Sequence, residues 1–272
     1  MLRGIRKIGS DGSDIFFIDE LTEEIKHEIR CRLVEICYGR ANLDSSLKEY
    51  SYKATVKEFI KRYKNGSEVY KTRNKGMIGE LLFHIVFGLD KKYKPISAFF
   101  NLEERSFKKG FDSGYYSSET NKLWIAEVKA GEKQEKQKSV STTMVRLLNT
   151  AKKDLENRLT SENNSLWINA INHARNAMFA NDNNEKKAVL SLLGQYSNDA
   201  AEGIYISKDK NVILVGVVFH PINKEEIACK KIERKNKQIK EEGIFASLIT
   251  IAIQESTYKE MYQFLESEAK DD

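Results

Sequence analysis

The sequence predicts an α/β fold: a mixed central β-sheet flanked by helices. Three observations carry this reading. Residues 107–131 (FKKGFDSGYYSSETNKLWIAEVKAG) read as two strands about a polar turn. Val212–Phe219 (VILVGVVF) is an unbroken apolar run of the kind a buried central strand shows. Between these strands lie stretches with apolar residues at three- and four-residue spacing, the period of an amphipathic helix.

The composition bounds the class. A chain of 272 residues can bury a substantial core, and 40% hydrophobic residues with 10% aromatics place it among globular proteins. Its 45 Lys+Arg against 40 Asp+Glu give +5, a mildly basic balance that allows nucleic acid as a partner without demanding it. The three cysteines, Cys31, Cys37 and Cys229, form no CxxC pair, which argues against a zinc site or a disulfide framework and fits a reducing cytoplasm. Neither a signal peptide nor an apolar run of membrane-spanning length is read, so no membrane partner is expected. No G-x-x-x-x-G-K-[ST] motif is present, so the chain is not expected to hydrolyse ATP by itself.

Taken in order, Asp14–Asp19 reads as a short strand, and Thr22 opens a helix to about Tyr38 that Gly39 ends. A second helix spans roughly Thr55–Lys64 before an Asn65-Gly66 turn. Residues 1–70 carry no strong motif and read as a helical elaboration packed on a core formed by residues 71–272. Arg73–Phe87 is apolar around most of its circumference, a buried helix with Glu80 at its centre. Ile96–Leu102 follows as a strand, then the hairpin: Phe107–Ser117, a turn at Ser118–Asn121, and Lys122–Ala130. Ser141 or Thr142 caps a long helix to about Leu159. Helices over Leu166–Met178 and Glu185–Leu193 precede a second hairpin, Gly203–Ile206 with Val212–Phe219. A charged helix, Glu225–Glu242, a strand, Ile244–Ile253, and a helix, Tyr258–Glu268, capped by Thr257 with Glu260, complete the chain.

The chemistry concentrates in the first hairpin. Side chains alternate along a strand, so Leu123, Ile125, Glu127 and Lys129 share one face while Trp124, Ala126 and Val128 take the other. Glu127 and Lys129 therefore project together from an otherwise apolar strand, with Asp112 on the strand before. Paired carboxylates suit Mg²⁺, which takes oxygen ligands, with Mn²⁺ able to substitute. An isolated E-x-K also describes a solvated pair on an edge strand. Glu80 is open in the same way: it reads either as a partnered site residue or as a glutamate on the helix surface. His84, one turn later, reads as a core histidine or a group behind the site rather than a ligand. Lys133, Lys136 and Lys138, with Arg146 on the next helix, are candidate phosphate contacts in a run that also reads as a solvated loop.

Glu80 in a helix, then Gly110-Phe111-Asp112, then Glu127-Val128-Lys129 on a strand resembles the PD-(D/E)xK nuclease superfamily. More narrowly, KGMIGELLFHIVF, KGFDSGYY and LWIAEVKAG together are similar to HamA, the nuclease subunit family of the Hachiman anti-phage defence system. Phe111 stands where the superfamily pattern has a proline. The resemblance implies a restriction-endonuclease-like core. It also implies that Asp112, Glu127 and the Val128 carbonyl hold the metal, that Lys129 orients or activates water, and that Glu80 serves a second metal or the first metal's water. Its implied substrate is DNA, cut with little sequence preference, and its implied partner is a superfamily 2 helicase of the HamB kind that controls the nuclease. The competing class is a catalytically silent adaptor that binds DNA or the helicase; a scaffold, however, gains nothing by burying three charges. A restriction-type enzyme with its own base readout lacks support, since no helix-turn-helix or zinc finger is visible.

Overall fold

The computed structural model describes residues 1–10, 12–64, 71–99, 111, 113–162, 165–179, 183–256 and 258–270. Its strands are β1 (Ile5–Ser10), β2 (Ser13–Ile18), β3 (Lys94–Pro95), β4 (Ser113–Ser117), β5 (Lys122–Glu132), β6 (Asn211–Phe219) and β7 (Ser247–Glu255). Its α-helices are α1 (Glu23–Tyr38), α2 (Tyr52–Lys64), α3 (Lys71–Phe87), α4 (Val140–Thr160), α5 (Ser165–Ala177), α6 (Asn183–Ala201), α7 (Cys229–Glu241) and α8 (Tyr258–Lys270). The strands form one mixed sheet in the order β1-β2-β7-β6-β5-β4-β3. Strands β2, β7, β6 and β5 run parallel at its centre, and antiparallel pairs, β1 with β2 and β3–β4 with β5, close its sides. This is an α/β fold consistent with a restriction-endonuclease-like core.

Every residue of β6 is buried, as its apolar run predicts for a strand covered on both faces. Alternation then sorts the core into two. Trp124, Ala126 and Val128 pack with Ile213, Val215 and Val217 beneath α1, α2, α3 and α8. Leu123 and Ile125 pack with Val212, Leu214 and Val218 beneath α4, α5, α6 and α7. Two glycines set how closely the helices approach. A Cβ on Gly79 of α3 would stand 2.5 Å from the Ala130 methyl, and one on Gly216 of β6 would stand 2.3 Å from Met144 Sδ of α4.

Several boundaries differ from expectation, each for a local reason. Ile96–Phe99, the described part of the expected strand Ile96–Leu102, is not a strand; pairing is confined to Lys94–Pro95. Beyond Pro95 the Ser97 hydroxyl accepts from Gly114 N, and Phe99 N turns away to Ile36 O. Gly203–Ile206 forms no hairpin with β6, because both edges of β6 are already taken by the parallel neighbours β5 and β7. Ile204 N bonds instead to Asp199 O at the end of α6. The long helix begins one turn early: Ser139, not Ser141 or Thr142, is the cap, its hydroxyl accepting from Thr142 N at 3.1 Å. Glu225 lies outside α7, held by Lys133 and by Val140 N. Strand β1 was not anticipated; its IRKIGS run alternates weakly. The Asn65-Gly66 turn, Thr257 and residues 107–110 of the expected first hairpin strand lie outside the described residues.

The close approach at Gly79 yields a signed prediction. Alanine raises helix propensity by about 1 kcal/mol over glycine, whereas overpacking a core costs about 1–3 kcal/mol. The new methyl would meet another methyl attached to β5, not a flexible chain end, so the steric term wins. Gly79→Ala should lower the urea midpoint by about 1 kcal/mol of stability, and the double variant with Ala130→Gly should recover it. A stabilised single variant would refute this account of the packing.

Candidate active site

Among the described residues β4 pairs with β5 up to Ser113, opposite Ala126, and Glu127–Glu132 pair only with β6. From this point of the sheet, called the fork below, Glu127 and Lys129 project towards α4 on the face they share with Leu123 and Ile125. Glu127 is 0% exposed. A carboxylate stripped of water requires compensation, and the chain supplies it with two cations. Lys129 Nζ donates to Glu127 Oε1 at 2.7 Å. Arg158, near the C-terminal end of α4, closes on the same carboxylate with both terminal nitrogens, Nη2 2.8 Å from Oε1 and Nη1 2.8 Å from Oε2. One turn earlier on α4, Asp154 Oδ2 lies 2.9 Å from Lys129 Nζ. The cluster is thus two acids and two bases with Glu127 at its base, opening to solvent through the partly exposed Lys129, Asp154 and Arg158.

Asp154 and Arg158 were not anticipated. Their four-residue spacing is a signal, but in sequence an acid–base pair on a charged helix reads as a solvated face. Arg146 of the same helix, the candidate phosphate contact, is exposed, and Lys152 pairs with Glu242. Glu127 and Asp154 are hard oxygen donors meeting at one lysine, a donor set that suits Mg²⁺. Among the described residues no group of three His, Cys, Asp or Glu side chains is gathered for a metal ion. Asp112 lies outside the described residues. An ion entering at Glu127 would compete with the Arg158 fork for carboxylate oxygens.

Glu80 stands on α3, the helix that covers the opposite face of the sheet, half-buried and one turn before His84. The direction of α3 is fixed by contacts at both ends. Lys75 pairs with Glu132 at the far end of β5, Gly79 sits over Ala130, and His84 reaches β4. Glu80 therefore belongs to the stretch of α3 that crosses the fork. His84 is a core histidine: it bridges Ser113 Oγ, 3.0 Å from Nε2, and the Tyr115 hydroxyl, 2.9 Å from Nδ1. Burial, helped by the nearby Arg32 charge, lowers its pKa to about 3. It ties the start of β4 to α3 from behind.

The basic residues lie elsewhere. Lys133 is six residues beyond Glu127, roughly 20 Å along a strand, and its ammonium is held by Glu225 at 2.9 Å. That hydrogen bond, with the one from Val140 N, holds the Glu225 carboxyl below its usual range. Lys136 and Lys138 are exposed between β5 and α4. The structure thus joins Lys133, Lys136 and Lys138 to the N-terminal end of α4, and Glu127 and Lys129 to its C-terminal end.

The His84 environment gives a pH dependence of known sign. Between the unfolded value of 6.5 and the folded value of about 3, the unfolded chain binds a proton that the folded chain refuses. Stability from this residue is fully present above pH 6.5 and declines as pH falls through that window. The loss of unfolding free energy from pH 7 to pH 5 should be about 2 kcal/mol greater for the native chain than for His84→Gln. Parallel stability profiles from urea titrations would refute it.

Among the described residues no helix is long and apolar enough to cross a membrane. No curated protein and no solved structure matches the chain. The HamA family model matches residues 5–268, nearly the whole length. With a seven-stranded α/β sheet and an acid–base cluster at its fork, the chain belongs to the HamA family, and its role is related to anti-phage defence.

Proposed function

We propose that the chain is a metal-dependent deoxyribonuclease of the PD-(D/E)xK kind, the effector of an anti-phage defence system that works in the cytoplasm under the control of a superfamily 2 helicase. The single observation that carries this reading is Glu127: a carboxylate buried at a sheet fork with an ammonium 2.7 Å away from the same strand face. Asp112, Glu127, the Val128 carbonyl and Glu80 would hold Mg²⁺ or Mn²⁺. When bound, the ion supplies charge at the phosphate and a more acidic water. Lys129 offsets charge on the phosphate oxygens in the transition state and orients the attacking water, and Asp154 keeps its ammonium aimed. Arg158, displaced from Glu127, presents a planar fork that matches two phosphate oxygens.

A second reading has its own support. Both oxygens of Glu127 are engaged by cations, as in a structural ion pair, which suits a silent adaptor that binds DNA or the helicase. The two readings part on Lys129→Ala. In the nuclease, Mg²⁺-dependent cleavage assayed with the helicase and DNA should fall by about 10²–10³-fold, in protein that still folds cooperatively and binds its partner. An active variant, or one that simply unfolds, rules out the catalytic role.

Metal entry is tested without turnover. Removing one partner of a buried pair costs about 3 kcal/mol, so Arg158→Gln should be less stable than the native chain. Mn²⁺ should then raise its melting temperature by more than it raises that of the native chain, because Glu127 no longer trades a counter-ion for the metal. Equal shifts would exclude Glu127 as a metal ligand.

A further inference from the structure

On the same face of β5, next to the Glu127 cluster, a partly open pocket lies between the hairpin and helices α5 and α6. Its wall is aromatic. Phe111 and Trp167 stand with ring centroids 5.1 Å apart, and Trp167 and Tyr196 stand 4.9 Å apart, both pairs tilted by about 50°. Lys210, buried and paired with Asp209, holds its ammonium 3.9 Å from the Tyr196 centroid and 5.6 Å from that of Trp167, which braces the two rings from the core. Ile125 lines the cavity too, two residues before Glu127, and Phe111 immediately precedes residue 112. Cavity and acid–base cluster are therefore neighbours along one strand, roughly 7 Å apart at the backbone.

We propose that this cavity is a subsite for one unpaired nucleobase of the strand being cut, the base of a nucleotide whose phosphate lies at Lys129 and Arg158. This deepens the nuclease reading and rests on it for the substrate class. The chemistry selects the occupant. Aromatic walls with an apolar floor offer stacking surface but little hydrogen-bonding specificity, so they suit any base and read no sequence. A base stacked on these rings has left its duplex stack, so the substrate presented to Glu127 is single-stranded or has one nucleotide turned out. The separation of cavity and cluster is one that a single sugar can bridge.

The test measures binding, not cleavage. The full-length chain in EDTA is titrated with a labelled single-stranded decathymidylate, and each position in turn carries an abasic spacer. Stacking of one base is worth roughly five- to 150-fold in affinity. One spacer position should weaken binding by at least about fivefold, and the others should have little effect. Ala170→Phe fills the cavity while leaving every ring of its wall in place; it should bind the intact oligonucleotide at least about fivefold more weakly and lose the position-specific effect. If its melting curve shows that Ala170→Phe does not fold, Tyr196→Leu carries the same comparison. A flat spacer scan, or an unchanged affinity in the folded cavity variant, overturns the subsite. Failure of the nuclease reading looks different: a position-specific scan in EDTA with no cleavage when Mg²⁺ and the helicase are supplied.

Discussion

A single buried carboxylate constrains the architecture around it. Glu127 sits on a strand whose neighbouring side chains on that face are Leu123 and Ile125, and it has no solvent exposure of its own. An ionised group there is tolerable only with opposite charge in contact. Lys129 provides one cation from the same strand, and α4 must provide the other, which fixes the rotation and register of that helix over the sheet. The remaining attachments of α4 agree with this demand. Its N-terminus is capped by Ser139 and anchored through Val140 N to Glu225, its middle settles into the space above Gly216, and its far end delivers Asp154 and Arg158 to the cluster.

The two faces of the sheet solve different problems. Beneath α3 the packing is largely apolar, and His84, the buried polar residue next to the hairpin, stays neutral because burial disfavours its charged form and the Arg32 charge lies nearby. That side ties β4 to α3 through Ser113 and Tyr115. Beneath α4 the charged groups Glu127, Lys129, Asp154 and Arg158 meet at the fork. A site built this way has a stiff rear wall and a front whose long cationic side chains can move without disturbing the core.

Among the described residues several lysines are held in ion pairs between elements. Lys133 is bound to Glu225, Lys152 to Glu242, Lys94 to Glu185 and Lys75 to Glu132. Much of the positive charge on these elements is thus spent on fastening one element to another. A net charge of +5 gives only weak attraction for polyanions at long range.

Sequence by itself determined the fold class, the hairpin, the central strand β6, the face on which Glu127 and Lys129 lie, and the helices from α1 to α3. These depend on two- and 3.6-residue periodicity and on local caps such as Thr22 and Gly39, which act over a few residues. Family resemblance was equally legible, because KGMIGELLFHIVF and LWIAEVKAG are contiguous segments, and the match over residues 5–268 bears it out. The pairing of strands was not legible. Gly203–Ile206 looks like a partner for β6 in sequence, and only the sheet order reveals that β5 and β7 already occupy both of its edges. Nor could sequence find Arg158, 31 residues from Glu127, or Asp154 one turn before it. An i,i+4 pair of opposite charges looks the same on a solvated helix as on one that faces a buried carboxylate. Which of these it is depends on what the helix packs against, and only the tertiary structure decided that.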